Sequence, residues 1–328
     1  MTRMQSLATL LLACLLSISA MSTALGENND AAPELEYFHS EIIHTFPHNN
    51  SSFTQGLEFI NGELYESTGH YGNSTLRQVN LTTGESIRQV SLPNEVFAEG
   101  ITGVEGKIIQ LSWRNNTAFV WNQSDLTLVS NFSYSGEGWG LCFDGTQLVM
   151  SSGTSVLTFR NASTFAIERQ INVTLSGQPI VFINELECHG GYIYANIWST
   201  SRIMKINPSN GIIEANINAT SLFDLQDEHA NVLNGIAWDE AQQGFLLTGK
   251  NWSFSYLVNF SEGDSEYSID SSIGPNGNTG GDGFGNDGET TDGEENWELA
   301  GQSIGFFIAI TLLLLAVLLP VVWFATNK

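Results

Sequence analysis

A single acid opens an otherwise apolar run. Glu99 lies between Phe97 and Gly100 in "VFAEG", and the run that follows ends at Trp113. Burying a charge there is costly unless the charge is paired or used. An apolar setting raises a carboxyl pKa toward neutrality, where one group can take a proton and hand it back. Related residues stand before four other strand-like runs: Phe53, Thr54 and Gln55; Glu137 and Trp139; Ile183 and Asn184; Leu233 and Asn234. Trp113, Trp198 and Lys250 fall at strand ends. Gln55, Asn184 and Lys250 are types that hydrogen-bond an oxygen on which negative charge develops. Trp113, Trp139 and Trp198, read as occupying matching places in successive repeats, would form an apolar wall.

Residues so far apart need a repeating scaffold to bring them together, and residues 35–260 contain one. "GLEFINGELYEST" from Gly56, "GITGVEGKIIQLS" from Gly100, "GLCFDGTQLVMSS" from Gly140, "ELECHGGYIYANI" from Glu185 and "GIAWDEAQQGFLLTG" from Gly235 align at intervals of 44, 40, 45 and 50 residues. Each unit reads as a short apolar strand, a Gly- or Asp-containing turn, an alternating strand, then a third and usually a fourth strand. Four strands per repeat, five times over, predict an all-β, five-bladed β-propeller. The strand-like segment 35–47 is the expected partner of the short last unit, closing the ring without a free edge. In such a ring the loops entering the first strands share one face, so Glu99 would sit where five loops converge. Alternation along a strand further predicts that Lys250 points inward and Asn251 outward.

Charge and composition narrow the function. The chain of 328 residues carries a net charge of −24. Residues 261–300 supply 11 acids and no Lys or Arg, which leaves the repeats acidic as well. Nucleic acid is therefore not an expected partner. There is no CxxC or HExxH pattern, so metal catalysis has no support and no cofactor is expected. Only Cys142 and Cys188 lie in the repeats, and the sequence leaves open whether they are free. Twelve Asn-x-Ser/Thr sequons, more than half of the 22 Asn between residues 49 and 259, suggest a glycosylated exterior surface.

The ends read as targeting and anchoring segments. Residues 1–26 have a basic start, an apolar stretch and small residues for cleavage, as in a secretory signal. The acidic, Gly-rich segment 261–300 has the composition of a disordered, solvated stalk. Residues 304–324 are nearly uncharged and long enough to cross a bilayer as a helix. Together these predict a monomer at the cell membrane, single-pass, with the repeats on the extracellular or lumenal side.

The motifs "FTQGL", "LYESTGHYGNSTL", "FAEGIT", "LSW", "GEGWGL", "NELE", "YANIW", "VLNGIA" and "TGK", in that order, resemble the plant and bacterial type of glutaminyl cyclase. The resemblance spans roughly residues 38–257. It implies a five-bladed propeller that cyclises the N-terminal glutamine of peptides to pyroglutamate and releases ammonia. On matching positions it implies Glu99 as the catalytic acid, and Phe53, Phe97, Trp113, Trp139 and Trp198 as pocket aromatics. Gln55, Asn184 and Lys250 match its polar pocket residues. Ala98 stands where glycine is usual, Ser253 where proline is usual and Cys188 where an aromatic is common, and "STSRI" lacks the acid that often precedes the arginine; these put only the shape of the last unit's loop in doubt. The chemistry suits the residues independently: ring closure supplies proximity, and one carboxyl can move both protons.

Two other readings compete. A catalytically silent propeller displayed on a stalk would be a binding module, and the intact Glu99 speaks against it. A calcium-dependent propeller hydrolase would need several carboxylates around the channel, where Glu99 and Glu137 are the acids the sequence suggests.

Overall fold

The computed structural model describes residues 34–263. The signal segment 1–26, the stalk beyond residue 263 and the apolar segment 304–324 lie outside the described residues. Among the described residues no helix is long and apolar enough to cross a membrane.

The described residues are all-β apart from one short helix, α1 (Thr220–Phe223). After an opening strand β1 (Glu36–Pro47), four antiparallel meanders follow the repeat read from the sequence. They are β2–β5 (Thr54–Ile60, Glu63–Thr68, Thr75–Val79, Ser86–Ser91), β6–β9 (Ala98–Val104, Lys107–Ser112, Thr117–Asn122, Leu128–Ser133), β10–β13 (Leu141–Phe143, Gln147–Met150, Val156–Asn161, Ile167–Asn172) and β16–β19 (Ile183–His189, Tyr192–Ile197, Arg202–Ile206, Ile213–Asn218). A small hairpin, β14 (Thr174–Leu175) and β15 (Gln178–Pro179), precedes the last of these. The fifth unit has three strands of its own, β20 (Leu233–Asp239), β21 (Gly244–Gly249) and β22 (Phe254–Glu262). Its fourth strand is β1, antiparallel to β22 from Phe38 opposite Glu262 to Pro47 opposite Phe254. The first residues of β1 also pair in parallel with β19, which joins the fourth and fifth units in one eight-stranded sheet. The expected role of segment 35–47 is thus seen in its hydrogen bonds.

In every unit but the fourth, burial falls from the first strand to the last; there β19 stays buried because β1 pairs along it. β2 and β20 are buried on both faces, whereas β5, β9 and β13 are largely exposed. This is why the first strands read as continuous apolar runs and the others alternate. Five apolar clusters fill the gaps between neighbouring units, and the fifth, with Phe46, Leu57, Leu64 and Leu246, joins the last unit to the first. First strands of successive units also touch: β2 with β6, β6 with β10, β10 with β16, β16 with β20, and β20 with β2. The approach is close. A Cβ on Gly100 would lie 2.6 Å from the backbone nitrogen of Leu141, so the residue that begins the repeat there must be glycine.

Two cross-links reinforce the arrangement. Cys142 on β10 and Cys188 on β16 form a disulfide with Cα atoms 5.5 Å apart, settling the question the sequence left open. Where the last unit meets the first, the buried Glu66 accepts bonds from Thr54 (2.6 Å), His48 (3.0 Å) and Arg77 (2.8 Å), while His48 Nδ1 meets the Trp252 carbonyl at 2.7 Å. Burial alone would raise the pKa of Glu66, but Arg77 and His48 hold it at about 2.

Candidate active site

Three recurring positions build the site. The residue before each repeat start is Gln55, Glu99, Trp139, Asn184 or Asn234, and two residues earlier stand Phe53, Phe97, Glu137, Phe182 and Val232. Just past the second strand come Gly69, Trp113, Ser151, Trp198 and Lys250. A backbone bond ties the outer two positions in four units. The N–H of Gly69, Trp113, Trp198 and Lys250 donates to the carbonyl of Phe53, Phe97, Phe182 and Val232, at 2.8, 2.9, 2.9 and 3.0 Å. The first position points its side chain toward the shared face at the mouth of the ring. That is the physical content of the sequence periodicity.

The floor is polar and buried. Glu99 is 4% exposed, with Gln55, Asn184, Asn234 and Lys250 at 5% or less. Gln55 Nε2 donates to Glu99 Oε1 at 3.3 Å, and Asn234 Nδ2 donates to Gln55 Oε1 at 3.1 Å. Burial pushes the Glu99 carboxyl well above its usual range, opposed by the neighbouring Lys250 and assisted by the charge of Glu137. The same burial lowers Lys250 to about 8, against the pull of Glu99. Asn184 keeps a buried Oδ1 without a hydrogen-bond partner.

The walls are aromatic and half-buried. Lys250 Nζ lies 4.7 Å from the Phe53 ring centre. Edge-on contacts run from Phe53 to Phe97 (6.2 Å), from Phe97 to Trp113 (5.7 Å) and from Trp139 to Trp198 (6.2 Å). Glu137 joins the two tryptophan pairs: its Oε2 accepts the indole N–H of Trp113 (2.8 Å) and of Trp139 (3.0 Å), and its Oε1 accepts Arg114 Nε (2.9 Å). Burial would raise the Glu137 carboxyl, but these donors together hold it below its usual value. The structure therefore brings Phe53, Gln55, Phe97, Glu99, Trp113, Trp139, Asn184, Trp198 and Lys250 to one mouth. A separate cleft of about 310 Å³, lined by Phe38, Tyr194, Trp238 and Phe260 among others, contains none of them.

Several sequence expectations need correction. The three tryptophans do not occupy matching places: Trp113 and Trp198 follow second strands, whereas Trp139 stands at the position of Glu99 in its own unit. Its indole reaches the wall because the loop between the second and third strands of the same unit presents Gly153, whose Cβ would lie 2.7 Å from the ring. Lys250 is buried and Asn251 faces Asn50, yet strand alternation is not the reason. Both residues lie in the turn after β21, and Asn251 adopts a left-handed φ of 60°. Glu99 and Glu137 are also not the only acids inside the ring. Glu58, Glu185 and Glu187 project from the first strands beneath the floor, and burial raises all three, Glu58 to about 8. They are engaged by the protein itself: Glu185 accepts the N–H of Leu57 and Ile236, Glu58 that of Gly103 and Glu187 that of Trp238. Among the described residues no group of three or more His, Cys, Asp or Glu is placed to hold a metal ion.

Phe182 belongs to the cluster without having been expected there, whereas Asn234 and Glu137, expected at the shared face but given no pocket role, hold Gln55 and the two indoles. Phe182 packs on Trp198 at 5.6 Å. Its signal was available, since it stands two residues before Asn184 as Phe53 and Phe97 stand before Gln55 and Glu99.

Comparison with known proteins points to one family. A family model described as glutamine cyclotransferase matches residues 10–260. A curated glutaminyl-peptide cyclotransferase from Arabidopsis thaliana is 34% identical over 232 residues, 69% of this chain and 72% of the plant protein. The crystal structure of the Myxococcus xanthus glutaminyl cyclase is similar with a TM-score of 0.67 and 38% identity, covering 70% of this chain and all of that one.

Proposed function

The chain belongs to the glutamine cyclotransferase family, and on that premise we propose that it is a metal-independent glutaminyl-peptide cyclotransferase with Glu99 as its proton carrier. The substrate's α-amine nitrogen attacks its own side-chain amide carbon, closing a five-membered ring. The amine proton passes to Glu99, which returns a proton to the departing NH2, and the C–N bond breaks to release ammonia. One carboxyl serves both transfers when its pKa lies near working pH. The observation that carries this reading is the buried Glu99 carboxyl, held on one oxygen by Gln55 within aromatic walls. In this reading Asn184 meets the amide oxygen as charge develops on it, and Lys250 either does the same or binds the peptide backbone; the ring closure itself supplies proximity.

The finer architecture belongs to the same reading. The five meanders and the closed cycle of contacts among their first strands support a five-bladed propeller. Sequence composition supports a secreted, glycosylated monomer held at the membrane by residues 304–324. The deciding experiment incubates the protein with a Gln-initiated peptide and follows loss of one ammonia by mass, with and without EDTA. Cyclisation in both arms is expected. An unchanged peptide mass refutes the activity, and loss of activity restored by added metal refutes metal independence.

A further inference from the structure

We infer that Asn234 is a positioning residue: it fixes which end of the Gln55 amide meets Glu99, and so sets the proton affinity of the reacting carboxyl. The inference rests on the cyclase reading of Glu99.

The chain of bonds begins at a group with no choice of role. The backbone carbonyl of Thr54 can only accept, and it lies 2.9 Å from Asn234 Nδ2. Asn234 must therefore turn its NH2 that way. The same nitrogen reaches Gln55 Oε1 at 3.1 Å. With its oxygen engaged, Gln55 has only its NH2 left for Glu99, at 3.3 Å. An amide's two ends are nearly equal in shape, and the network alone decides between them. Here the network is anchored on backbone and permits one answer.

Asn234 is fully buried, yet its own Oδ1 has no donor. Buried polar atoms are normally satisfied, and turning the amide over would not help. It would set Oδ1 against two acceptors and withdraw the donor that both need. The residue is thus kept for its donors, at the expense of its acceptor.

The consequence falls on Glu99. An N–H on Oε1 favours the carboxylate and leaves Oε2 for the substrate. The charged and titratable neighbours on adjoining elements are Lys250 after β21, Glu137 before β10 and Tyr134 after β9. The Asn234 side chain hydrogen-bonds none of them; its partners are Thr54 and Gln55. Without Asn234, Gln55 is free to turn its carbonyl toward a protonated Glu99, which favours the neutral acid.

The test reads Glu99 directly in the whole protein without substrate. Carboxyl-¹³C glutamate labelling, with the Glu99 signal assigned by its loss in Glu99→Gln, gives the titration midpoint by NMR. Asn234→Ala should raise that midpoint by about half a pH unit or more, the scale expected for loss of a hydrogen bond to the charged form. Gln55→Leu should raise it similarly, and the double variant should match Gln55→Leu alone, because Asn234 acts only through Gln55. The acid limb of kcat/KM should move with the midpoint. Should Asn234→Ala fail to fold, Asn234→Ser keeps a donor for Thr54 but cannot reach both acceptors, and the same upward shift is expected. An unmoved midpoint in a folded Asn234 variant overturns the inference, as does an equal shift in the Gln55→Leu background. Failure of the wild type to cyclise a Gln-initiated peptide is a separate result and refutes the cyclase reading instead.

Discussion

Replacing Glu137 by glutamine should loosen the pocket without removing its proton carrier. One carboxylate oxygen, Oε2, accepts both indole N–H groups, at 2.8 and 3.0 Å, and the other holds Arg114. In its best orientation the glutamine oxygen keeps both indoles as neutral acceptor, and its NH2 is left facing Arg114. A hydrogen bond to a charged group contributes roughly 1.5–3 kcal/mol against about 1 for a neutral one, so each indole bond weakens by about 1 kcal/mol. The Glu137 side chain is 35% exposed, and solvent screening reduces the combined loss to roughly 1–1.5 kcal/mol. At 1.4 kcal/mol per decade, KM for a Gln-initiated peptide should rise about 5- to 10-fold. A second effect runs through charge. Glu137 helps to raise the Glu99 carboxyl, so neutralising it lowers the Glu99 pKa and extends the acid limb of kcat/KM to lower pH. Initial rates from released ammonia, measured across pH, give both quantities. An unchanged KM, or an acid limb displaced upward, would refute this account of the wall.

Glu99→Gln preserves shape and removes the titrating group, so kcat should fall ~10²–10⁴-fold while substrate still binds; near-normal turnover excludes Glu99 as proton carrier. Lys250 is charged below about 8, and its contribution should fade as pH rises through that value. Lys250→Arg should therefore lose the alkaline limb of the kcat profile, and retention of that limb assigns it to another group. Removing both Cys142 and Cys188 releases a link across 46 residues, worth about 4 kcal/mol by loop entropy. Urea denaturation should show a loss of that order with the pocket intact, and equal stability of the two proteins contradicts it.

The sequence revealed what the repeat enforces and concealed what departs from it. Gln55, Glu99, Asn184 and Lys250 could be placed together because each sits at a fixed offset from an aligned strand, and β-strand geometry carries that offset into space. Trp139 could not, since an indole's direction depends on the space Gly153 leaves in a neighbouring loop. Nor were Glu58, Glu185 and Glu187 foreseen, because their partners are backbone N–H groups of other units. The disulfide was readable in retrospect: Cys142 and Cys188 are 46 residues apart, close to one repeat, so they occupy nearly equivalent places on adjacent first strands. The sequons carry a second meaning as well. Asn80, Asn122 and Asn161 each lie at or just beyond the end of a third strand, and each side-chain oxygen accepts the N–H of the Ser or Thr two residues on. Asn207 makes the same turn with Ser209, where Pro208 prevents a sequon. Part of the sequon excess is therefore turn chemistry copied by the repeat.

That copying explains how a single buried acid comes to stand among amides and aromatics on this scaffold. One position, the residue before each repeat start, carries Gln55, Glu99, Trp139, Asn184 and Asn234 in the five units. The strand that follows must pack against both neighbours, whereas the side chain at the mouth meets mainly the side chains at its neighbours' equivalent positions, so this position carries five different residues on one backbone plan. Only one of the five is an acid. A second carboxylate beside Glu99 would compete with it for a proton and drive the two pKa values apart. The nearest acid, Glu137, instead stands at the wall position and is occupied by two indoles and an arginine. Amides at the neighbouring mouth positions supply donors without titrating, which leaves Glu99 as the one titrating carboxyl among the five mouth positions.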